Sequence, residues 1–196
     1  MKTDVIMISN RDDNMEEALA QAEKVAAYYD LSPKGALHLR LLTEETLGMM
    51  RSITGKQDGK FWIENEGEDF ELHLMVNTLI DEKRREQLLS ASTSGVNEAA
   101  KGIMGKIRAF FEAPGTAPSF SGAFMPGAVS TQAGGAMAWS MEDYREQLRQ
   151  YRDMNKEGAE EAWDELEKSV VARVADDVKV SIKGRTVEMT ISKKLA

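Results

Sequence analysis

The strongest constraint on the fold lies near the end of the chain. Val178, Val180 and Ile182 alternate with polar residues, Gly184-Arg185 interrupts them, and Val187, Met189 and Ile191 resume the alternation. Successive side chains on a strand point to opposite faces, and a two-residue turn fixes the register between its strands. Ile182 is then opposite Val187, Val180 opposite Met189 and Val178 opposite Ile191, so one face is apolar throughout. That pattern suits a terminal hairpin on a sheet covered by helices.

The first half of the chain supplies partners for it. Val5-Ile6-Met7-Ile8 reads as a short strand. Met15, Ala18, Leu19, Ala22, Val25, Ala26 and Tyr29 recur at helical spacing, with acidic residues on the outer positions. Asp30-Leu31 ends that helix. Ser32 caps the next, with Pro33 at its first position, where a missing N–H costs nothing. This second helix carries Leu37, Leu41, Leu42, Leu47, Met49, Met50 and Ile53, which predicts a central, well-buried element stopped near Gly55. Phe61-Trp62-Ile63 and Phe70 to Val76 flank a turn at Glu66-Gly67-Glu68-Asp69. Phe70, Leu72, Leu74 and Val76 alternate with Glu71, His73 and Met75, a half-buried hairpin.

Further along, a charged helix is expected from Leu79 to Leu89, a small polar loop at Ser90–Gly95, and an amphipathic helix from Val96 to Phe111. Ala113 to Met141 breaks the pattern. It is rich in Gly, Pro, Ser and Ala yet holds Phe120, Phe124, Met125, Met137 and Trp139, which a plain linker does not need. Ser140, followed by Glu142 and Asp143, makes a helix start. Helices from about 141 to 154 and from about 158 to 175 precede the closing hairpin.

Composition narrows the function. The 196 residues, 42% of them hydrophobic, fit one domain with its own core. Without cysteine there is no disulfide, thiolate metal site or cysteine nucleophile. No apolar run reaches the roughly 20 residues a membrane span requires, and no signal-peptide core is present, so cytoplasmic residence without membrane contact is expected. A net charge of −8 repels phosphate backbones and disfavours nucleic acid as a partner. The dense basic run Lys83-Arg84-Arg85 is flanked by Glu82 and Glu86, as on a solvated helix face.

Few residues offer chemistry. His38 and His73 are too few for a three-histidine metal site and lack metal-ligand spacing, so ordinary structural or surface roles are favoured over a catalytic pair. No G-x-S-x-G, Walker or dinucleotide motif occurs. Glu44-Glu45 lies mid-helix among Leu and Met. One carboxylate leaning toward the packed side is a candidate general base; the alternative is a polar stripe shared with Arg40 and Arg51. Lys101-Gly102-Ile103-Met104-Gly105-Lys106 is either a phosphate-facing helix start or a close helix-packing point.

The order of these elements resembles the GHKL, or Bergerat, ATP-binding superfamily, and within it the anti-sigma-factor serine kinases. Ala36–Ile53, "ALHLRLLTEETLGMMRSI", resembles the Glu-x-x-x-Asn helix, Phe61–Val76 the hairpin, Ser90–Gly95 the lid, "GIMGKIRAFF" at Gly102–Phe111 the second glycine box, and Val178–Ile191 the closing strands. The resemblance implies an α+β two-layer sandwich: a mostly antiparallel, mixed sheet, helices on one face, and an inserted helical segment at about 113–175 of a single domain, 1–196. It places the family glutamate at Glu44 or Glu45. The Mg²⁺-holding asparagine falls on Gly48 or Met49, neither of which can ligate a hard cation. Asn77 stands where the adenine-reading aspartate is expected, with no Gly-x-Gly after it. The nucleotide-binding candidates are therefore Glu45, Asn77, Gly102 and Gly105, with ATP or ADP as possible ligands and no metal site. The implied function is a non-catalytic or weakly nucleotide-binding regulatory module that binds a protein partner, with the Phe/Met/Trp-bearing insertion as its candidate surface. The alternative is an active ATP-dependent serine kinase or ATPase with atypical ligands.

Overall fold

The computed structural model describes residues 1–9, 14–54, 58–77, 130–132, 136–183 and 186–195. Seven strands form one sheet: β1 (Ile6–Ile8), β2 (Gly59–Glu66), β3 (Asp69–Asn77), β4 (Ser130–Gln132), β5 (Ala136–Ser140), β6 (Asp177–Lys183) and β7 (Thr186–Lys194). Their order is β1-β2-β3-β7-β6-β5-β4, and every pairing is antiparallel. The first three strands build inward from one edge and the last four from the other, meeting at β3–β7. Among the described residues five helices accompany them: α1 (Met15–Tyr28), α2 (Pro33–Thr54), α3 (Met141–Asp153), α4 (Ala159–Lys168) and α5 (Val170–Val174).

Both hairpins follow the sequence periodicity. Ile182 is opposite Val187, Val180 opposite Met189 and Val178 opposite Ile191. In the first hairpin the turn residues are Gly67 and Glu68, between paired Glu66 and Asp69. Gly67 has φ +63°, the left-handed value that the first residue of such a turn adopts and glycine tolerates best. Phe61, Ile63, Phe70, Leu72, Leu74, Val76, Val178, Val180, Val187, Met189 and Ile191 are each at most 1% exposed. They form the apolar face that the helices cover.

The α1 face contributes Ala18, Ala22, Val25 and Ala26, and α2 contributes Leu39, Leu42, Leu47 and Met49. At the end of α1, Tyr29 meets the Phe70 ring edge-on, with centroids 5.5 Å apart. Burying one large apolar side chain contributes about 1.5–3 kcal/mol, against roughly 0–1 kcal/mol for an exposed ion pair. The sheet–helix seam, not the charged surface, therefore holds the fold together.

The edge strand β1 is protected. Asn14 donates to the Met7 carbonyl, and Gln21 Nε2 donates to the Asp4 carbonyl at 2.9 Å. These side chains occupy groups that an incoming strand would need.

Three expectations are corrected. Leu37 is 61% exposed; α2 buries Leu39 instead, because its sheet-facing stripe runs through Leu39, Leu42, Thr43, Thr46, Leu47 and Met49. The stretch from 113 to 141 is not irregular throughout: β4 and β5 lie in it, and β5 adds to the sheet beside β6. The helix expected from about 158 to 175 is two helices. Ser169 between them is extended, and its Oγ accepts from the Ala172 N–H to start α5. The helices expected at 79–89 and 96–111, the basic run at 83–85, the loop at 90–95, Gly102, Gly105, Phe120, Phe124, Met125 and the Gly184-Arg185 turn lie outside the described residues.

Candidate functional site

Helix α2 begins as its sequence requires, with Ser32 Oγ accepting from the Gly35 N–H at 3.1 Å ahead of Pro33. Its sheet-facing side includes Thr43 and Thr46, both fully buried. Their hydroxyls donate to the Leu39 and Leu42 carbonyls at 2.9 and 2.6 Å, so neither is left unsatisfied. The intervening carboxylates turn outward to different degrees. Glu44 is exposed and accepts from Arg40 Nε at 3.2 Å, while Arg40 also reaches Glu23 on α1. Glu44 thus belongs to a surface stripe with Arg40. Glu45 is half-buried.

The positions four residues further on hold no ligand for a cation. Gly48 is exposed, and a side chain there would meet open space. Met49 is 1% exposed and packs in the core. Asn77 ends β3 opposite Thr186, whose hydroxyl donates to Asn77 Oδ1 at 3.1 Å. By strand alternation it falls on the side of Met75 and His73, away from α2. The sheet therefore separates Asn77 from Glu44 and Glu45.

Neither of two cavities among the described residues is lined by Glu44, Glu45 or Asn77. One, of about 390 Å³, lies between α1 and α2 and includes Ala26, Ala27, Leu31, Leu37 and Arg40. The other, of about 510 Å³, lies at the start of α3 beside β5, β6 and β7, and includes Ser140, Glu142, Asp177, Lys179, Glu188 and Thr190. No group of three or more His, Asp or Glu among the described residues is arranged to hold a metal ion. Likewise, no helix there is long and apolar enough to cross a membrane.

No protein-family model and no curated protein matches this chain.

The two histidines do not form a pair. His38 sits on α2, its pKa lowered by burial first and by Lys34 and Lys193 next. His73 lies on the opposite side of the sheet, 9% exposed, with its ring stacked on Trp62 at 4.9 Å and 2°. Its surroundings are polar. Thr190 Oγ1 and Glu188 Oε1 lie 3.3 and 3.4 Å from Nδ1, and Glu71 Oε2 lies 3.4 Å from Nε2. Nearby, Glu64 accepts from Lys2 Nζ at 2.8 Å and from Trp62 Nε1 at 2.7 Å, which hold its carboxyl below the usual range in that order of importance.

Sequence reasoning missed this cluster, although one signal was available. The two-residue turn at Gly67-Glu68 fixes Trp62 opposite His73. It did not reveal that β7 would bring Glu188 and Thr190 alongside.

At the other end of the sheet, burial acts to raise the Asp176 pKa. Hydrogen bonds from Lys193 Nζ and the Lys194 N–H, both 2.6 Å, and the charges of Lys193 and Arg145 outweigh it, and the net shift is downward. This corner joins β7 to the residues after α5 and is structural.

Proposed function

We propose that the chain is a regulatory module with the layout of the GHKL ATPase superfamily, acting by contact with a protein partner and not by nucleotide turnover. The observation that carries this reading is the disposition of α2 against Asn77. The helix offers one carboxylate engaged by Arg40, a second half-buried, and Gly48 and the core residue Met49 where a Mg²⁺ ligand would be needed. Asn77 falls on the far side of the sheet. A phosphoryl-transfer site needs metal, base and nucleotide contacts converging on one place, and these residues diverge.

The element order β1-α1-α2-β2-β3, with helices over an antiparallel sheet and a closing β6–β7 hairpin, supports the superfamily layout. Trp139 is withdrawn from the partner surface expected in the 113–141 segment, because it is 7% exposed and packs beside Tyr144. On the helix layer Tyr28 and Leu37 are 75% and 61% exposed and are apolar side chains there that a partner could cover.

The test is release of phosphate from ATP by the purified chain in Mg²⁺ or Mn²⁺. The expected rate equals that of Glu45→Ala and of the buffer. Turnover lost in Glu45→Ala would instead favour an active ATP-dependent serine kinase or ATPase with unusual ligands.

A further inference from the structure

The His73 cluster has a property that its neighbours dictate. A neutral imidazole has one N–H and one lone pair; the protonated ring has two donors and no acceptor. Here both nitrogens face carboxylate oxygens, Glu188 across Nδ1 and Glu71 across Nε2, each at 3.4 Å. Nε2 is buried and makes no hydrogen bond. Nδ1 has a second neighbour, the Thr190 hydroxyl at 3.3 Å, which can donate to a neutral ring.

The remaining groups are fixed. From β2 come Trp62, stacked on the ring, and Glu64, already held by Lys2 and Trp62. Lys2 Nζ lies 4.6 Å from the Trp62 ring centroid. On β6, Lys179 is the cross-strand partner of Thr190. The carboxylates left to respond to the ring are Glu71 and Glu188.

We propose that His73 is a proton-operated latch that exchanges its Nδ1 partner, Thr190 when neutral and Glu188 when protonated. In the neutral state Nδ1 accepts from Thr190 and Nε2–H faces Glu71. A proton on Nδ1 turns it into a donor, so the Thr190 hydroxyl loses its acceptor and the Glu188 carboxylate closes onto the ring. Glu188 and Thr190 both line the 510 Å³ cavity, so the latch changes the cavity wall. Acid draws one carboxylate out of the wall and frees one hydroxyl into it. Histidine is the side chain whose charge changes between about pH 5 and 8, and Trp62 keeps the ring in place in either state.

The experiment is an NMR titration of the intact chain from about pH 8 to 5.5. With only two histidines, both imidazoles can be followed, and His38 on the other side of the sheet is an internal control. The expected result is that the Glu188 carboxyl carbon moves along the His73 titration curve and not along that of His38. In Glu188→Gln the side-chain carbonyl carbon at position 188 no longer follows the His73 ring signal, because an amide does not pair with the charged ring as a carboxylate does. A Glu188 carbon that stays flat while His73 titrates overturns the latch, as does a His73 ring that does not titrate in this range. The wild-type titration decides the matter even if the Gln variant does not fold.

Discussion

Tyr144 shows how one buried residue ties the fold to pH. Its ring, 2% exposed, lies beside Trp139 beneath α3, and burial pushes its phenol up to about 12 from the ordinary value near 10. The unfolded chain ionises first, so this contribution is fully present below about pH 10 and is lost as pH rises toward 12. Urea unfolding midpoints taken across that range should fall less steeply in Tyr144→Phe than in the wild type. Parallel curves would contradict this assignment. Glu44 and Glu45 illustrate the limit of sequence at this scale. Their helix was legible from its apolar spacing, but adjacent carboxylates differ by only about 100° around a helix. Which one leans inward depends on the stripe that α2 presents to the sheet, and Leu39, not Leu37, sets that stripe.

Among the elements, helix ends carry much of the definition. Among the described residues, two helices end with a left-handed residue other than glycine: Asp30 after α1 and Asn155 after α3, both at φ 49°. In each, two N–H groups fold back onto helix carbonyls: Leu31 to Ala26 and Asp30 to Ala27, then Lys156 to Tyr151 and Asn155 to Arg152. Asp and Asn tolerate this conformation better than other side chains. At its start, α3 depends on Ser140, whose Oγ accepts from the Asp143 N–H at 3.1 Å. Ser140→Ala should cost about 1 kcal/mol, seen as a lower urea midpoint with an unchanged slope. No change in midpoint would mean that the Asp177 carboxylate, which accepts from the Glu142 N–H at 3.1 Å, caps α3 sufficiently alone. Ser140 was legible because its side chain and the following acids are a local signal. β4 and β5 were not: Ser130–Gln132 and Ala136–Ser140 are short and rich in small residues, and their strand form shows only in the pairing of β5 with β6 and of β4 with β5. The break at Ser169 was hidden for a similar reason, since helix-forming residues continue on both sides of it.

At the scale of the molecule, the sheet divides the chain into two surfaces. One carries α1 and α2 with Glu44, Glu45 and His38. The other carries Trp62, His73, Glu71, Glu188 and Thr190, with Asn77 at its rim by strand alternation. The hairpin registers were legible in the sequence because a period of two leaves no choice once one face is apolar. The meeting of β3 with β7, which sets the polar cluster, was not, because it joins strands more than a hundred positions apart (Asn77 to Thr186). Separation of the candidate nucleotide contacts by the sheet is the basis for reading the chain as a regulatory module. Calorimetric titration with ADP and ATP, with and without Mg²⁺, tests that directly. No binding heat is expected at millimolar nucleotide under either condition. Micromolar binding that disappears in Glu45→Ala or Asn77→Ala would contradict it, because those side chains would then have to converge on one ligand.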